Sequence, residues 1–359
     1  MTDTDLFSPD YRTARERFVE AAARCGADRG RHGHPRVRGP DGETLSIDWA
    51  ALGPAEASRV ILIQSGTHGV EGFCGSACQL SLMHSALHAA LPADTRLVLI
   101  HALNPYGFAW LRRVTEDNVD LNRNFLDHTG AYPNNPGYEQ LKRAISPDRL
   151  DEETVAAANR LLVGYLKGHG ASALQAAISQ GQYTDPDGLY FGGHGPAWSN
   201  ALFHRIVADR CAGARHAVLI DIHTGLGPFA AGELITEFPT DAPVTRRARR
   251  WWGEQVTSTV SGRSVSVPLA GTIDHAFLAA LPDAEATPVT LEFGTAAPED
   301  VFKAMRADNW LHRHGDPEGP EAPPIKADMR RVFFPDVPPW RNGVLETFHR
   351  IVDQLFRAL

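Results

Sequence analysis

Apolar and polar residues recur with different periods along this chain, and the changes of period mark its elements. From about Pro9 to Ala27, Tyr11, Ala14, Phe18 and Ala21 fall on one face at helical spacing, which predicts an amphipathic helix. The runs Arg59–Gln64, Arg96–His101, His216–Ile222 and Pro288–Phe293 are apolar almost throughout and predict buried strands. A helix is predicted between the first two, from Glu71 to about Ala90. Strands that lack a polar face and alternate with helices need cover on both sides. The fold class is therefore α/β, a mixed, largely parallel twisted sheet with helices on both faces.

The middle of the chain, from Pro136 to about Ala214, reads as mostly helical. Asp151-Glu-Glu-Thr154 opens one helix with acids in its first turn, and Ala171–Ser179 makes another. Gln180–Gly193 follows as a glycine-rich, aromatic loop, long enough to suggest a role at a site. Arg29–Arg38, basic and studded with glycine, reads as a solvated loop. His314–Trp340, rich in proline and charge, is expected to wrap the surface. Val344, Leu345, Phe348, Ile351, Val352, Leu355 and Phe356 give the last helix one apolar face. We expect a single elaborated domain over 1–359, with a helical insertion at about 136–214.

Composition narrows the partners. The 359 residues can bury a large core, and a net charge of -8 lacks the basic excess that a phosphate backbone attracts, so nucleic acid is not an expected partner. Four scattered cysteines form no disulfide framework; Cys74 and Cys78, one helical turn apart, read as small buried residues. Met1–Leu6 lacks a basic region followed by an apolar core, and no apolar run approaches a membrane span. A soluble, cytoplasmic protein without a membrane partner is expected, with homo-oligomerisation left open.

The candidate chemistry lies at the strand ends, where open α/β sheets build their sites. His68 and Glu71, in Gln64-Ser-Gly-Thr-His-Gly-Val-Glu-Gly72, place a nitrogen and a carboxylate three residues apart where a strand gives way to a helix. His223, in Ile220-Asp-Ile-His-Thr-Gly225, ends a second strand and can supply a third ligand. A His, Glu, His set leaves the fourth zinc position open, as catalytic sites do. Asp221, two residues before His223, points to the same side of its strand and can support that ligand. No Gly-x-Ser-x-Gly elbow is present, which argues against a serine hydrolase.

With Asp120-Leu-Asn-Arg123 and Glu292 added in order, the sequence resembles the zinc carboxypeptidase superfamily over roughly Arg59–Phe293. That superfamily includes the carboxypeptidase A type and the succinylglutamate desuccinylase and aspartoacylase group. The wording Gly-Thr-His-Gly-Val-Glu-Gly and Asn-Val-Asp-Leu-Asn-Arg-Asn-Phe resembles an uncharacterised bacterial branch. The resemblance implies a phosphorylase/hydrolase-like sheet and one zinc ion per chain, held by His68, Glu71 and His223. It implies that Asp120 orients His68, and that Asn122 and Arg123 hold a substrate carboxylate, for which arginine offers a planar fork. Arg113, or its neighbour Arg112, would steady the developing oxyanion. Glu292 would be the general base, a role that also explains a carboxylate between Leu291 and Phe293.

The chain also departs from that pattern. Ala270-Gly-Thr-Ile-Asp-His275 resembles the loop ahead of the catalytic glutamate, and places Asp274 in a side-chain pocket. The substrate-capping tyrosine has no counterpart in Ser264–Leu269, and Tyr183 and Tyr190 are the candidates to replace it. The long stretch between Arg123 and His223 would narrow the mouth, favouring a small peptide or N-acyl amino acid as substrate. The expected activity is zinc-dependent cleavage of an amide bond adjacent to a free carboxylate, as in a metallocarboxypeptidase. The rivals are an aspartoacylase-type deacylase and an inactive binding protein on the same fold.

Overall fold

The computed structural model describes residues 6–359. Residues 1–5, part of the stretch read for a targeting signal, lie outside the described residues. Eight strands form one mixed sheet: β1 (Asp28–Arg38), β2 (Thr44–Leu52), β3 (Arg59–Ser65), β4 (Thr95–His101), β5 (His216–Phe229), β6 (Gly232–Thr236), β7 (Val256–Ser258) and β8 (Glu285–Gly294). Their order is β1-β2-β4-β3-β5-β8-β6-β7. The central four, β4, β3, β5 and β8, run parallel, while β1 and β2 at one side and β6 at the other join antiparallel to their inward neighbours. The apolar runs in the sequence are these central strands.

Two apolar clusters, one on each face, confirm cover on both sides. Ile61, Ile63, Leu97, Leu99, Val218, Ile220 and Ile222 point to one face, against the helices Tyr11–Arg24, Gly72–His84 and Pro338–Ala358. Val60, Leu62, Val98, Ile100, Ala217 and Leu219 point to the other, against Trp198–Arg210 and Ile273–Ala280. On this second face the period-2 pattern changes from apolar to polar toward the carboxyl ends. Ala217 and Leu219 on β5 give way to Asp221 and His223, and Val60 and Leu62 on β3 give way to Gln64.

The stretch 136–214 holds the helices Pro136–Ile145, Glu152–His169, Ala171–Ser179 and Trp198–Arg210. Three expectations are corrected. The basic segment from Arg29 to Arg38 is not a loop; it lies in β1, where its charged side chains suit an edge strand that must not recruit another chain. The segment 314–340 does more than wrap the surface, because its helix Ala322–Phe333 buries Met329, Val332 and Phe333 in the core. The helix predicted over 71–90 starts at Gly72, after a single 3-10 turn at Gly69–Glu71, ends at His84 and is followed by a 3-10 helix over Ala86–Ala90. Among the described residues, no helix is long and apolar enough to cross a membrane.

Candidate metal centre

His68 follows the end of β3, Glu71 closes the tight turn after it, and His223 lies on β5, the parallel neighbour of β3. The turn is pressed against another loop: Gly69 N–H donates to Arg113 O at 3.1 Å and Val70 N–H to Arg112 O at 2.8 Å. A Cβ on Gly69 would stand 2.0 Å from the Gly107 carbonyl carbon, so only glycine lets the turn approach so closely.

The three side chains converge. His68 Nδ1 lies 2.9 Å from Glu71 Oε1, His223 Nδ1 lies 3.0 Å from Glu71 Oε2, and the two Nδ1 atoms are 3.1 Å apart. His68 Nε2 lies 3.1 Å from Asp120 Oδ1, and His223 Nε2 lies 2.6 Å from Asp221 Oδ2. In the neutral tautomer that carries its hydrogen on Nε2 toward the carboxylate, each imidazole turns the Nδ1 lone pair inward. Two imidazole lone pairs and a carboxylate, all buried, then face a common point. Separations of this size suit ligands about 2 Å from one shared zinc ion, so the donor set fits a metal.

A further layer fixes the supports. Thr67 donates its hydroxyl to Asp221 Oδ1 at 2.7 Å, and Gln64 Nε2 donates to Thr67 Oγ1 at 2.7 Å. Thr224 N–H donates to Glu71 Oε2 at 3.0 Å. Sequence reasoning missed Gln64 and Thr67, although a polar residue near the end of an apolar strand and another just before His68 were the signal.

The electrostatics favour positive charge. Burial alone would raise Glu71, but His68 and His223 hold its carboxyl well below the ordinary range. Burial likewise opposes ionisation of Asp120, and Arg113 with His68 overrides it. His223 is penalised by burial yet raised well above its ordinary value, chiefly by Asp221. Glu292 moves the other way: burial, and then the neighbouring charge of Glu71, push it up to about 7.

Glu292 pairs in register with His223 across β5 and β8, so the two side chains leave the same face side by side. Its Oε1 accepts Leu226 N–H at 2.8 Å. Arg113 turns into the site, with Nε on Asp120 Oδ2 at 2.9 Å and Nη1 on Glu71 Oε1 at 3.2 Å. Arg112 turns away to Asp308, 3.0 Å from Oδ2, and to Asn118.

Arg123 reaches the C-terminal end of the helix Ala171–Ser179, where Nε and Nη2 donate to Ser179 O, and its Nη1 donates to Asn122 O at 2.8 Å. Asn122 Oδ1 accepts Ile273 N–H at 3.0 Å, which docks the loop around Asp274 beside it. Asp274 is 1% exposed, and neither of its carboxylate oxygens has a hydrogen-bond partner among the described residues. Burial, reinforced by Glu237 and Asp221, raises its carboxyl well above the usual range. Tyr183 donates its hydroxyl to Arg123 O at 2.6 Å, whereas the Tyr190 ring lies against both Arg113 and Arg123.

Solved structures similar in overall course include carboxypeptidase A from Helicoverpa armigera, at 12% identity over 91% of this chain and 74% of that one, TM-score 0.46. Thrombin activatable fibrinolysis inhibitor matches at 10% identity over 96% of this chain and 74% of that one, TM-score 0.47. Succinylglutamate desuccinylase from Chromobacterium violaceum matches at 18% identity over 92% and 75%, TM-score 0.38. No curated protein matches the sequence. The family profile of DUF2817, described as a protein of unknown function, matches residues 7–347, and the chain belongs to that family.

Proposed function

We propose that the chain is a zinc hydrolase that cleaves an amide bond adjacent to a free carboxylate, in a small peptide or an N-acyl amino acid. The observation that carries this reading is the convergence of His68 Nδ1, His223 Nδ1 and Glu71, each imidazole backed by its own carboxylate. When bound, zinc would supply Lewis acidity toward the carbonyl and a more acidic water.

Protein groups supply the rest of the chemistry. Glu292, with one oxygen held by Leu226 N–H and its carboxyl pushed up to about 7, is suited to take a proton from the attacking water and deliver it to the leaving nitrogen. Arg113 keeps a permanent charge at the mouth of the ligand cluster; its N–H groups not engaged by Asp120 and Glu71 can meet the oxygen on which negative charge develops. Arg123 and Asn122, steadied by Ser179 O and Ile273 N–H, would hold the substrate carboxylate, and Asp274 would border the side-chain pocket. The helices of 136–214, read as an insertion, would narrow the mouth and favour small substrates.

Metal content and a substrate panel test this reading. The purified protein is expected to bind one zinc per chain and to hydrolyse some members of a panel of N-acyl dipeptides and N-acyl amino acids. Glu292→Gln should keep its zinc and lose turnover. Hydrolysis that a chelator leaves unchanged would remove the metal from the chemistry, and full turnover by the Gln variant would remove Glu292. Cleavage confined to N-acyl amino acids would favour the deacylase over the peptidase.

A further inference from the structure

The glycine-rich loop from Gln180 to Gly193 enters the site as a fixed plate. Gln182 N–H donates to Tyr190 O at 3.1 Å and Gly192 N–H to Gln182 O at 2.9 Å, closing the loop on itself. The Gln182 side chain bonds to loop backbone as well, giving Nε2–H to Asp185 O at 2.7 Å and receiving Thr184 N–H at 2.9 Å. Leu189 N–H donates to Ser146 Oγ at 3.1 Å, and Asp120 N–H donates to Phe191 O at 2.8 Å. The loop is thus tied directly to the segment whose carboxylate orients His68.

Tyr190 is held in this plate with φ at +58°, a conformation that non-glycine residues adopt at a cost and that persists where surrounding structure enforces it. Its ring lies under two cations at once. The Arg113 guanidinium carbon is 5.4 Å from the ring centroid and that of Arg123 is 5.9 Å away, both within cation–π reach. Both arginines are nearly or fully buried, so their mutual repulsion is poorly screened, and the negative face of an aromatic ring counters it without adding a full charge. The hydroxyl is turned aside to the Met305 sulfur at 3.7 Å, a weak acceptor.

We propose that Tyr190 is a positioning residue whose ring face sets the separation and orientation of the Arg113 and Arg123 guanidinium groups. Arg113 is otherwise fixed by Asp120 and Glu71, and Arg123 by Ser179 O and Asn122 O; the charge of Asp120 acts on both, and the ring supplies a surface against which both guanidinium groups pack. Its role therefore differs from that of a hydroxyl that caps a substrate. The kinetic consequence rests on the proposed hydrolase reading, whereas the placement of the guanidinium groups does not.

The test compares zinc-loaded wild type with Tyr190→Phe, Tyr190→Leu and Tyr190→Gly, the last of which removes the ring and also the backbone cost. Crystal structures should show at least one of the two guanidinium groups displaced in the Leu and Gly variants and both restored in Phe. With N-benzoyl-glycyl-phenylalanine as probe, the Leu and Gly variants should lower kcat/KM about tenfold, through KM where Arg123 moves and through kcat where Arg113 moves, while zinc content holds, and Phe should rescue it. A merely structural role would instead lower the zinc-loaded fraction, leaving KM and kcat per bound zinc unchanged. Guanidinium groups unmoved in both the Leu and Gly variants overturn the proposal. So does a Phe variant as impaired as Leu, since the hydroxyl would then be the working group. If the wild type cleaves neither the probe nor any member of the substrate panel, that failure counts against the hydrolase reading, and the crystallographic comparison alone decides the role of Tyr190.

Discussion

Arg112 and Arg113 are adjacent in sequence and make separate contacts. Arg112 lies in a buried ion pair with Asp308, which Lys326 also approaches, whereas Arg113 faces Asp120 and Glu71. Methionine at position 112 should cost about 2 kcal/mol of stability through a lost charged hydrogen bond and leave zinc binding intact. Methionine at position 113 should lower kcat/KM by about 100-fold or more, as the loss of an oxyanion donor does. Equal losses of activity in the two variants would dissolve this division. The pH profile is a second residue-scale test. In the proposed reaction Glu292 acts as a base only when ionised, and burial with the charge of Glu71 pushes its carboxyl up to about 7. A bound cation nearby favours the ionised form and draws that value down, so kcat/KM should be level at pH 8 and fall on the acid side of a limb at or below pH 7. An acid limb well above pH 7 would assign it to another group.

At the scale of elements, the turn Gly69–Glu71 sets the spacing of two ligands because it is pinned against Gly107 and the carbonyls of Arg112 and Arg113. Gly69→Ala puts a Cβ 2.0 Å from a backbone carbon that cannot swing aside, so the turn itself must move. The expected cost is about 1–3 kcal/mol of overpacking, together with weaker zinc binding. A zinc titration and thermal unfolding check both, and normal zinc affinity in the variant would show that the turn tolerates displacement. His68, Glu71, Asp221 and His223 were legible in the sequence because each interrupts or follows a long apolar strand. β1 was not legible: glycines and charged residues obscure its alternation, and an edge strand needs little apolar character. The helix Ala322–Phe333 was hidden by its prolines and charges, although both prolines lie in its first turn, where they do no harm. Tyr190 carries no periodic signal, and its meeting with Arg113 and Arg123 depends on contacts across 67 or more residues of sequence.

At the scale of the whole molecule, the donor cluster and the core are separable. The two apolar clusters cover both faces of the sheet without using His68, Glu71, His223 or Glu292. Small zinc domains unfold without metal because the ion replaces a core they lack. This chain has that core, so chelation should leave its helix and strand content, read by far-UV circular dichroism, unchanged at 25 °C. The thermal midpoint should still fall. Without the cation, the charges of Glu71 and Glu292 oppose each other with less positive charge nearby. Metal at about 1,000 times its dissociation constant stabilises the bound form by about 4 kcal/mol, which in a chain of this size amounts to several degrees. The midpoint should rise again when zinc is restored and should not rise in a variant carrying His68→Ala and His223→Ala together. A midpoint indifferent to zinc would mean that the three donors do not bind the ion in the folded protein. Collapse of the circular dichroism signal on chelation would mean that the sheet depends on the metal in a way its packing does not suggest.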